Sequence, residues 1–265
     1  MPGPSAPHSF VLRAGERGHD FIRSDGTRAS YIAGHPDAFI TRESSFNFHE
    51  YQSGRPGFGS MRVFGDEVFH GVGCGYNMHP HHNFLICALI LEGELTHINT
   101  VGGGMVDRLR PGDYYVFSAG SGGKHCELGI TGEDTSIIYV WFLPAELYLP
   151  PTYFRGHFDG RTGRHDIVQL IGEADGALPI PNDIRISRLI SDAGGKYTYK
   201  PRSLSHGTYV FVLDGDLRCA DTVLRRRDST GISGVEGIDC QAAADATDVL
   251  FVEVAMTMRD DVVGR

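Results

Sequence analysis

The segment FLICALILEGEL, residues 84–95, indicates the fold class, because a run of apolar residues ends in a turn centred on Gly93. Short runs of β-branched and aromatic residues between turn residues are typical of buried strands. Similar runs recur along the chain: DYYVFSA (113–119), TSIIYVWFL (135–143), TYVFVLDG (208–215) and DVLFVEVAM (248–256). Helical periodicity is scarce, and short helices are predicted only at residues 144–146 and 240–247. The pattern therefore predicts an all-β protein built as a sandwich or barrel.

Two segments of the chain are alike in outline, which indicates an internal duplication. LEGEL at residues 91–95 follows an apolar strand and precedes a turn, and LDGDL at residues 213–217 does the same. Residues 150–180, between them, are rich in Pro, Gly and charge, as expected of a linker. We place the boundary near Arg155, which gives two β-domains, residues 1–155 and 156–265.

Composition narrows the classes of partner. The 24 Lys and Arg residues against 33 Asp and Glu residues give a net charge of −9, which repels a phosphate backbone and disfavours direct nucleic-acid binding. No stretch approaches the roughly 18 consecutive apolar residues of a membrane span, and the N-terminal residues lack the layout of a signal peptide. Five scattered cysteines without a C-x-x-C pair fit reduced thiols. We therefore expect a cytoplasmic protein with no membrane partner.

Two short patterns carry metal-binding chemistry. His79 and His81 are separated by one residue, and on an extended strand such side chains project to the same face. His125 and Glu127 repeat this spacing. Side by side, the two strands would offer three imidazoles and one carboxylate to a single divalent transition metal, a ligand set that suits Fe, Mn, Ni, Cu or Zn. An isolated H-x-H also arises by chance, so its context decides the interpretation.

The context resembles the two sequence motifs of the cupin superfamily, whose fold is a small β-barrel that binds a metal at its mouth. Common cupins place an acidic ligand shortly after the H-x-H, where this chain has Leu85 and Ile86. Pirin-like proteins take the acid from the second motif instead, with the pattern S-A-G-x-G-x-x-H-x-E, and SAGSGGKHCE at residues 118–127 is similar to it. Further stretches extend the resemblance over most of residues 11–150: RAGERGH (13–19), SSFNFHEY (44–51), GFGSMRV (57–63), HPHHN (79–83) and VWFLPAE (140–146).

The pirin-like resemblance implies a bicupin, two tandem cupin barrels of which only the first binds metal. His79, His81, His125 and Glu127 would be the ligands, with Fe(II) the expected metal and Mn, Ni, Cu or Zn the alternatives. The second barrel has no H-x-H and is expected to lack metal. His82 stands where relatives often carry Arg or Lys, and residues 20–43 are longer than the usual family connection.

Some pirin-like proteins open the central ring of quercetin with dioxygen. The resemblance therefore implies a quercetin 2,3-dioxygenase type of oxidoreductase, which acts on a flavonol or related polyphenol and O2. Glu127 would then be both ligand and catalytic base, removing the hydroxyl proton of the substrate. The alternative is a non-enzymatic iron-binding, redox-sensing regulator that acts through a protein partner, as animal pirins are described. A cupin isomerase or hydrolase that uses the metal as a Lewis acid is a third reading.

Overall fold

The computed structural model describes residues 7–25, 31–48 and 53–257. Apart from short 3-10 turns at Ala14–Glu16 and Val101–Gly103, the regular structure of these residues is entirely strand. The strands are β1 (His8–Leu12), β2 (Gly18–Arg23), β3 (Ile32–Ala33), β4 (Phe39–Ser44), β5 (Met61–His70), β6 (Cys74–His81), β7 (Leu85–Glu92), β8 (Leu95–Asn99), β9 (Met105–Leu109), β10 (Asp113–Ser118), β11 (Gly123–Gly129), β12 (Thr135–Phe142), β13 (Thr152–His157), β14 (Val168–Ile171), β15 (Ile184–Ser191), β16 (Lys196–Tyr199), β17 (His206–Asp214), β18 (Leu217–Cys219), β19 (Thr222–Leu224), β20 (Ser229–Ser233), β21 (Ile238–Ala242) and β22 (Thr247–Ala255). The all-β prediction is confirmed.

The N-terminal compact unit spans Gly18–Gly57 and Met61–His157 and contains two antiparallel sheets. One sheet has the order β13-β10-β7-β12-β5-β4-β2, and the other β3-β6-β11-β8-β9. Apolar side chains from both sheets form one buried core, which includes Ile86, Tyr115 and Ile137 from the first sheet and Cys74 and Leu95 from the second. The apolar runs of β7 and β12 lie at the centre of the first sheet, where hardly any residue reaches solvent.

The second compact unit is built mainly from the chain after Phe158, and it also contains β1, the turn Ala14–Glu16 and Phe58–Ser60. Its two sheets have the orders β1-β20-β17-β22-β15-β14 and β16-β21-β18-β19. Val210 and Phe251 from the first of these sheets pack with Leu217 and Ile238 from the second in a core of their own. The division into domains 1–155 and 156–265 stays a prediction.

Two local predictions are wrong. Residues 144–146 form no helix, and Cys240–Ala242, at the start of the other predicted helix, belong to β21. The predicted linker at residues 150–180 contains β13 and β14, and β13 pairs with β10 along its whole length. The pairing of β21 with β16 and of β13 with β10 overrides the weak local signal in those two segments. None of the helices in the described part of the chain has the length and apolar character that crossing a membrane requires.

Gly75 allows β6 and β11 to approach each other closely at the position of Glu127. It has φ +148°, and a Cβ atom there would lie 1.9 Å from the Glu127 carbonyl oxygen. We expect Gly75→Ala to destabilise the N-terminal unit by about 2 kcal/mol or more, since overpacking usually costs on the order of 1–3 kcal/mol. Urea unfolding followed by the fluorescence of Trp141, the single tryptophan of the chain, would measure the loss.

Gly122 provides a matched control because its φ is +146° and a Cβ atom there would meet nothing within 4 Å. Gly122→Ala carries similar backbone strain without the clash. Equal shifts of the unfolding midpoint in the two variants would show that the close strand approach is not the source of the destabilisation.

Candidate metal centre

Three histidines meet on the neighbouring strands β6 and β11. His79 and His81 lie two residues apart on β6, and His125 on β11 is directly opposite His79 in the antiparallel register. Their ring centroids are 4.7 Å apart for His79 and His81, 4.6 Å for His79 and His125, and 4.9 Å for His81 and His125. One nitrogen of each ring lies within 4.8 Å of the other two. The structure thus brings three of the four predicted ligands together.

In two of these rings, those of His79 and His125, one nitrogen forms a hydrogen bond within the protein and the other nitrogen remains available. His79 Nδ1 lies 2.7 Å from the Asn77 carbonyl oxygen, so this nitrogen carries a proton and Nε2 holds the lone pair. His125 Nδ1 lies 3.1 Å from His97 Nε2. The Nε2 atoms of His125 and His81 are buried and have no hydrogen-bond partner among the described residues. Buried polar atoms are rarely unpaired, and this arrangement fits a set of metal ligands.

The three imidazoles are neutral at physiological pH. Burial is the main cause: it lowers the pKa of His79 below its ordinary value, that of His81 to about 3 and that of His125 well below its ordinary value. A neutral imidazole keeps the lone pair that binds a metal, whereas an imidazolium does not. Metal binding by these three side chains therefore requires no proton release near pH 7.

Glu127, the fourth predicted ligand, stands slightly apart from the three histidines. A β-bulge between His125 and Glu127 interrupts the register of β11 with β6, and the carboxylate groups with His97 and His125 rather than with His79. Its Oε1 accepts a 2.5 Å hydrogen bond from the Tyr115 hydroxyl. No Glu127 oxygen is grouped with the nitrogens of all three histidines within 4.8 Å.

Glu127 is also a buried acid without a cationic side chain at its carboxylate among the described residues. It is 2% exposed, and its one ion-pair contact is His125 Nδ1 at 3.6 Å, on an imidazole that is neutral at physiological pH. Burial raises the pKa of Glu127 to about 8, against the opposing effect of the Tyr115 hydrogen bond. In the protein without a bound cation, the carboxyl group is therefore mainly protonated at neutral pH.

His97 lies behind the three histidines of β6 and β11, a position that the sequence did not reveal. In the structure it is fully buried, its ring stacks on Tyr115 with centroids 4.3 Å apart, and its Nε2 contacts His125 Nδ1. The register places it opposite Glu127 on β8. A contact of this kind fixes the orientation of a ligand ring.

A narrow cavity adjoins the histidines on the side of His79 and Glu127. Tyr, Phe and Trp side chains form half of its lining, and it has room for about one water molecule. The residues that matter for its chemistry are Tyr31, Arg42, Phe48, Glu67, Tyr76 and Trp141. A ligand the size of a flavonol would have to displace some of these side chains.

The segment at residues 20–43 contributes to this cavity. Its described residues complete β2 and form β3 and β4, while residues 26–30 lie outside the described residues. Tyr31 places its ring 5.2 Å from the ring of His79, and Arg42 lies on β4. In the stretch SSFNFHEY (44–51), which resembles pirin-like proteins, residues 49–51 also lie outside the described residues. The longer connection therefore supplies wall residues next to the histidines.

Two further residues close to the predicted ligands in sequence or space differ in exposure. The side chain of His82 is exposed, whereas the buried ring of Phe117 stacks on that of His125, with centroids 4.6 Å apart. Within residues 7–25, 31–48 and 53–257, the two groups of side chains able to hold a metal both lie in the N-terminal unit. That the second barrel lacks metal stays a prediction.

Comparisons with known proteins agree with this architecture. The family model of pirin matches residues 27–142, and that of the quercetinase C-terminal cupin domain matches residues 172–254. The quercetin 2,3-dioxygenase of Escherichia coli K12 is 24% identical over 91% of this chain and 97% of its own length. A pirin-like protein of Caulobacter vibrioides is 28% identical over 83% of this chain and 94% of its own.

Solved structures show the same fold. The crystal structure of YhhW from Escherichia coli has a TM-score of 0.81 and 21% identity, and it covers 95% of this chain and all of that one. The structure of the same bacterial pirin in complex with nickel(II) has a TM-score of 0.80 and 20% identity, over 94% of this chain and all of its own. From its two matched domains, its relatives and its fold, we conclude that the chain is a pirin-like bicupin.

Proposed function

We propose that this protein is a metal-dependent dioxygenase of the quercetin 2,3-dioxygenase type, which cleaves a flavonol or related polyphenol with O2. The observation that carries the proposal is the set of three neutral imidazoles, with unpaired buried nitrogens, beside a cavity that Glu127 also lines. Relatives named quercetin 2,3-dioxygenase support it.

In this proposal His79, His81, His125 and Glu127 hold one divalent transition metal. The donor set fits a first-row metal, and Fe(II) is the proposed ion, with Mn, Ni, Cu or Zn as alternatives. The nickel(II) in the related Escherichia coli structure supports a divalent metal at this fold without fixing its identity here. Four protein ligands would leave open coordination positions for substrate and dioxygen, which is the chemistry that the metal supplies.

Glu127 is the proposed base. A general base must be ionised to accept a proton, and a bound divalent cation would favour the ionised form of Glu127. Turning from Tyr115 toward the histidines would carry the carboxylate to the side where a substrate hydroxyl could reach it. Tyr115 can hold the side chain in its resting position through the 2.5 Å hydrogen bond. The aromatic wall would keep bulk water from the reacting groups.

The ligand assignment predicts about one metal ion per chain, lost in the double variant His79→Ala, His81→Ala because half of the protein ligands disappear. Elemental analysis by mass spectrometry after chelator washing would measure the occupancy. His82→Ala is the control, since its side chain is exposed and its loss should leave the metal in place. Full occupancy in the double variant would rule out this site.

The pKa of Glu127 predicts that metal binding releases about one proton per ion at pH 7, since a cation favours the ionised carboxylate and the histidines are already neutral. The apparent affinity for metal should rise about tenfold per pH unit up to about pH 8 and level off above it. Calorimetry in buffers of different ionisation enthalpy measures the proton count.

Glu127→Gln is the matched variant for this measurement, because an amide has no proton to lose in this range. It should bind metal with no proton release and a flat dependence on pH. Equal proton release by the variant and the parent would show that the proton comes from another group.

The catalytic assignment predicts that Glu127→Gln lowers flavonol cleavage by about a hundredfold at matched metal content, the usual scale for removing a positioned base. An oxygen electrode with quercetin and catechols as substrates would measure turnover. Turnover at the parent rate in the metal-loaded variant would exclude Glu127 as the base. Absence of oxygen-dependent turnover in the parent would favour the regulatory alternative.

A further inference from the structure

Arg42 brings a buried positive charge to the wall of the cavity beside His79. Its side chain is 2% exposed, and its Nε donates to Glu67 Oε1 at 2.9 Å. Its Nη2 donates to the Tyr76 hydroxyl, which in turn donates to Glu67 Oε2 at 2.7 Å. Both oxygens of Glu67 are therefore engaged within this network.

The network leaves one arm of the guanidinium without a partner. Arg42 Nη1 is buried and meets no hydrogen-bond acceptor in the part of the chain that the structure describes. Trp141 lines the same cavity, and its Nε1 is likewise buried and unpaired among those residues. Unpaired buried donors are costly, most of all on a charged group. Two residues that line one cavity therefore each carry an unpaired buried donor, and a ligand with acceptor oxygens would satisfy them.

The surroundings of these donors suit a flat ring. The Arg42 guanidinium lies over the ring of Phe48, 4.5 Å from its centroid, and the Phe48 ring meets Trp141 edge to face at 5.4 Å. The Trp141 ring is also 5.0 Å from the ring of His81. An aromatic ligand that contacts this wall would lie close to the three histidines.

The charges favour an anion. Glu67 offsets the charge of Arg42, and the two charges of a divalent metal at the histidines would exceed the single negative charge of an ionised Glu127. A metal-loaded site would therefore carry a net positive charge. Charge-assisted hydrogen bonds from a guanidinium to a carboxylate are stronger than those to a neutral oxygen.

We infer that this cavity, once some of its wall side chains are displaced, selects aromatic acids, whose carboxylate accepts hydrogen bonds from Arg42 Nη1 and Trp141 Nε1 while the ring contacts Phe48. Among polyphenol-like substrates this points to phenolic acids. The inference rests on the proposed function, because that function places the substrate in this cavity.

Equilibrium binding to the nickel(II)-loaded protein tests the inference without any turnover. Benzoate and benzamide have nearly the same shape and differ in charge, so calorimetry with both isolates the contribution of the anion. We expect benzoate to bind about tenfold or more tightly than benzamide. Saturable quenching of Trp141, the single tryptophan, would show that benzoate lies in this cavity.

The double variant Arg42→Met, Glu67→Gln removes both charges of the buried pair and so avoids leaving either one alone. It should bind benzoate and benzamide with affinities that agree within about twofold. If benzoate bound to the metal instead, the double variant would still prefer benzoate to benzamide. Arg62→Met is the control, because Arg62 Nη1 donates to the Pro56 carbonyl oxygen and does not line the cavity. Should the double variant fail to fold, Arg42→Lys keeps the cation without a second terminal nitrogen and should lose most of the preference.

Equal affinity of the parent for benzoate and benzamide, no saturable response to benzoate, or a preference that survives in the Arg42 variants would each overturn the inference. The experiments distinguish a failure of this inference from a failure of the proposed function. Flavonol turnover without a preference for benzoate would contradict the inference alone. A preference for benzoate that depends on Arg42, without oxygen consumption by any phenolic acid or flavonol, would contradict the dioxygenase alone.

Discussion

The antiparallel register of β6 with β11 sets the geometry on which the candidate metal centre depends. It places His125 directly opposite His79, and the two-residue period of a strand then carries His81 to the same face. A slip of one residue would turn every side chain of a strand to the other face and disperse the set. The bulge after His125 changes the register where Glu127 follows, and Gly75 permits the close backbone contact at that point.

Burial gives this arrangement its chemistry. Removed from water, imidazoles lose protons and become metal ligands, while a carboxyl group retains its proton to higher pH. Burial thus lowers the pKa of His81 and raises the pKa of Glu127. Both side chains are left uncharged near neutral pH. Burying these side chains uncharged costs less free energy than burying them ionised. The carboxyl group would ionise only when a cation binds.

The sequence predicted the strands and the histidine cluster because both follow local rules. Apolar runs between turn residues mark strands, and the i, i+2 spacing fixes the common face of His79 and His81. The resting position of Glu127 could not be predicted, since it depends on a bulge and on Tyr115 from another strand. Arg42 and Trp141 were also beyond prediction, because they are about a hundred residues apart and meet only through the pairing of β4, β5 and β12.

A comparison of three buried carboxylates shows how the candidate metal centre differs from ordinary internal ion pairs. Glu67 lies 2.9 Å from Arg42 Nε, and Glu253 of the second unit, 1% exposed, accepts from the Tyr199 hydroxyl and lies 3.6 Å from Arg185 Nη1. Each has its compensating cation within the fold. Glu127 is equally buried, yet within the described residues its nearest potential cation is a neutral histidine. An ionised carboxylate in that position requires positive charge from outside the chain, and beside three free imidazole nitrogens a divalent metal is the ion that supplies it.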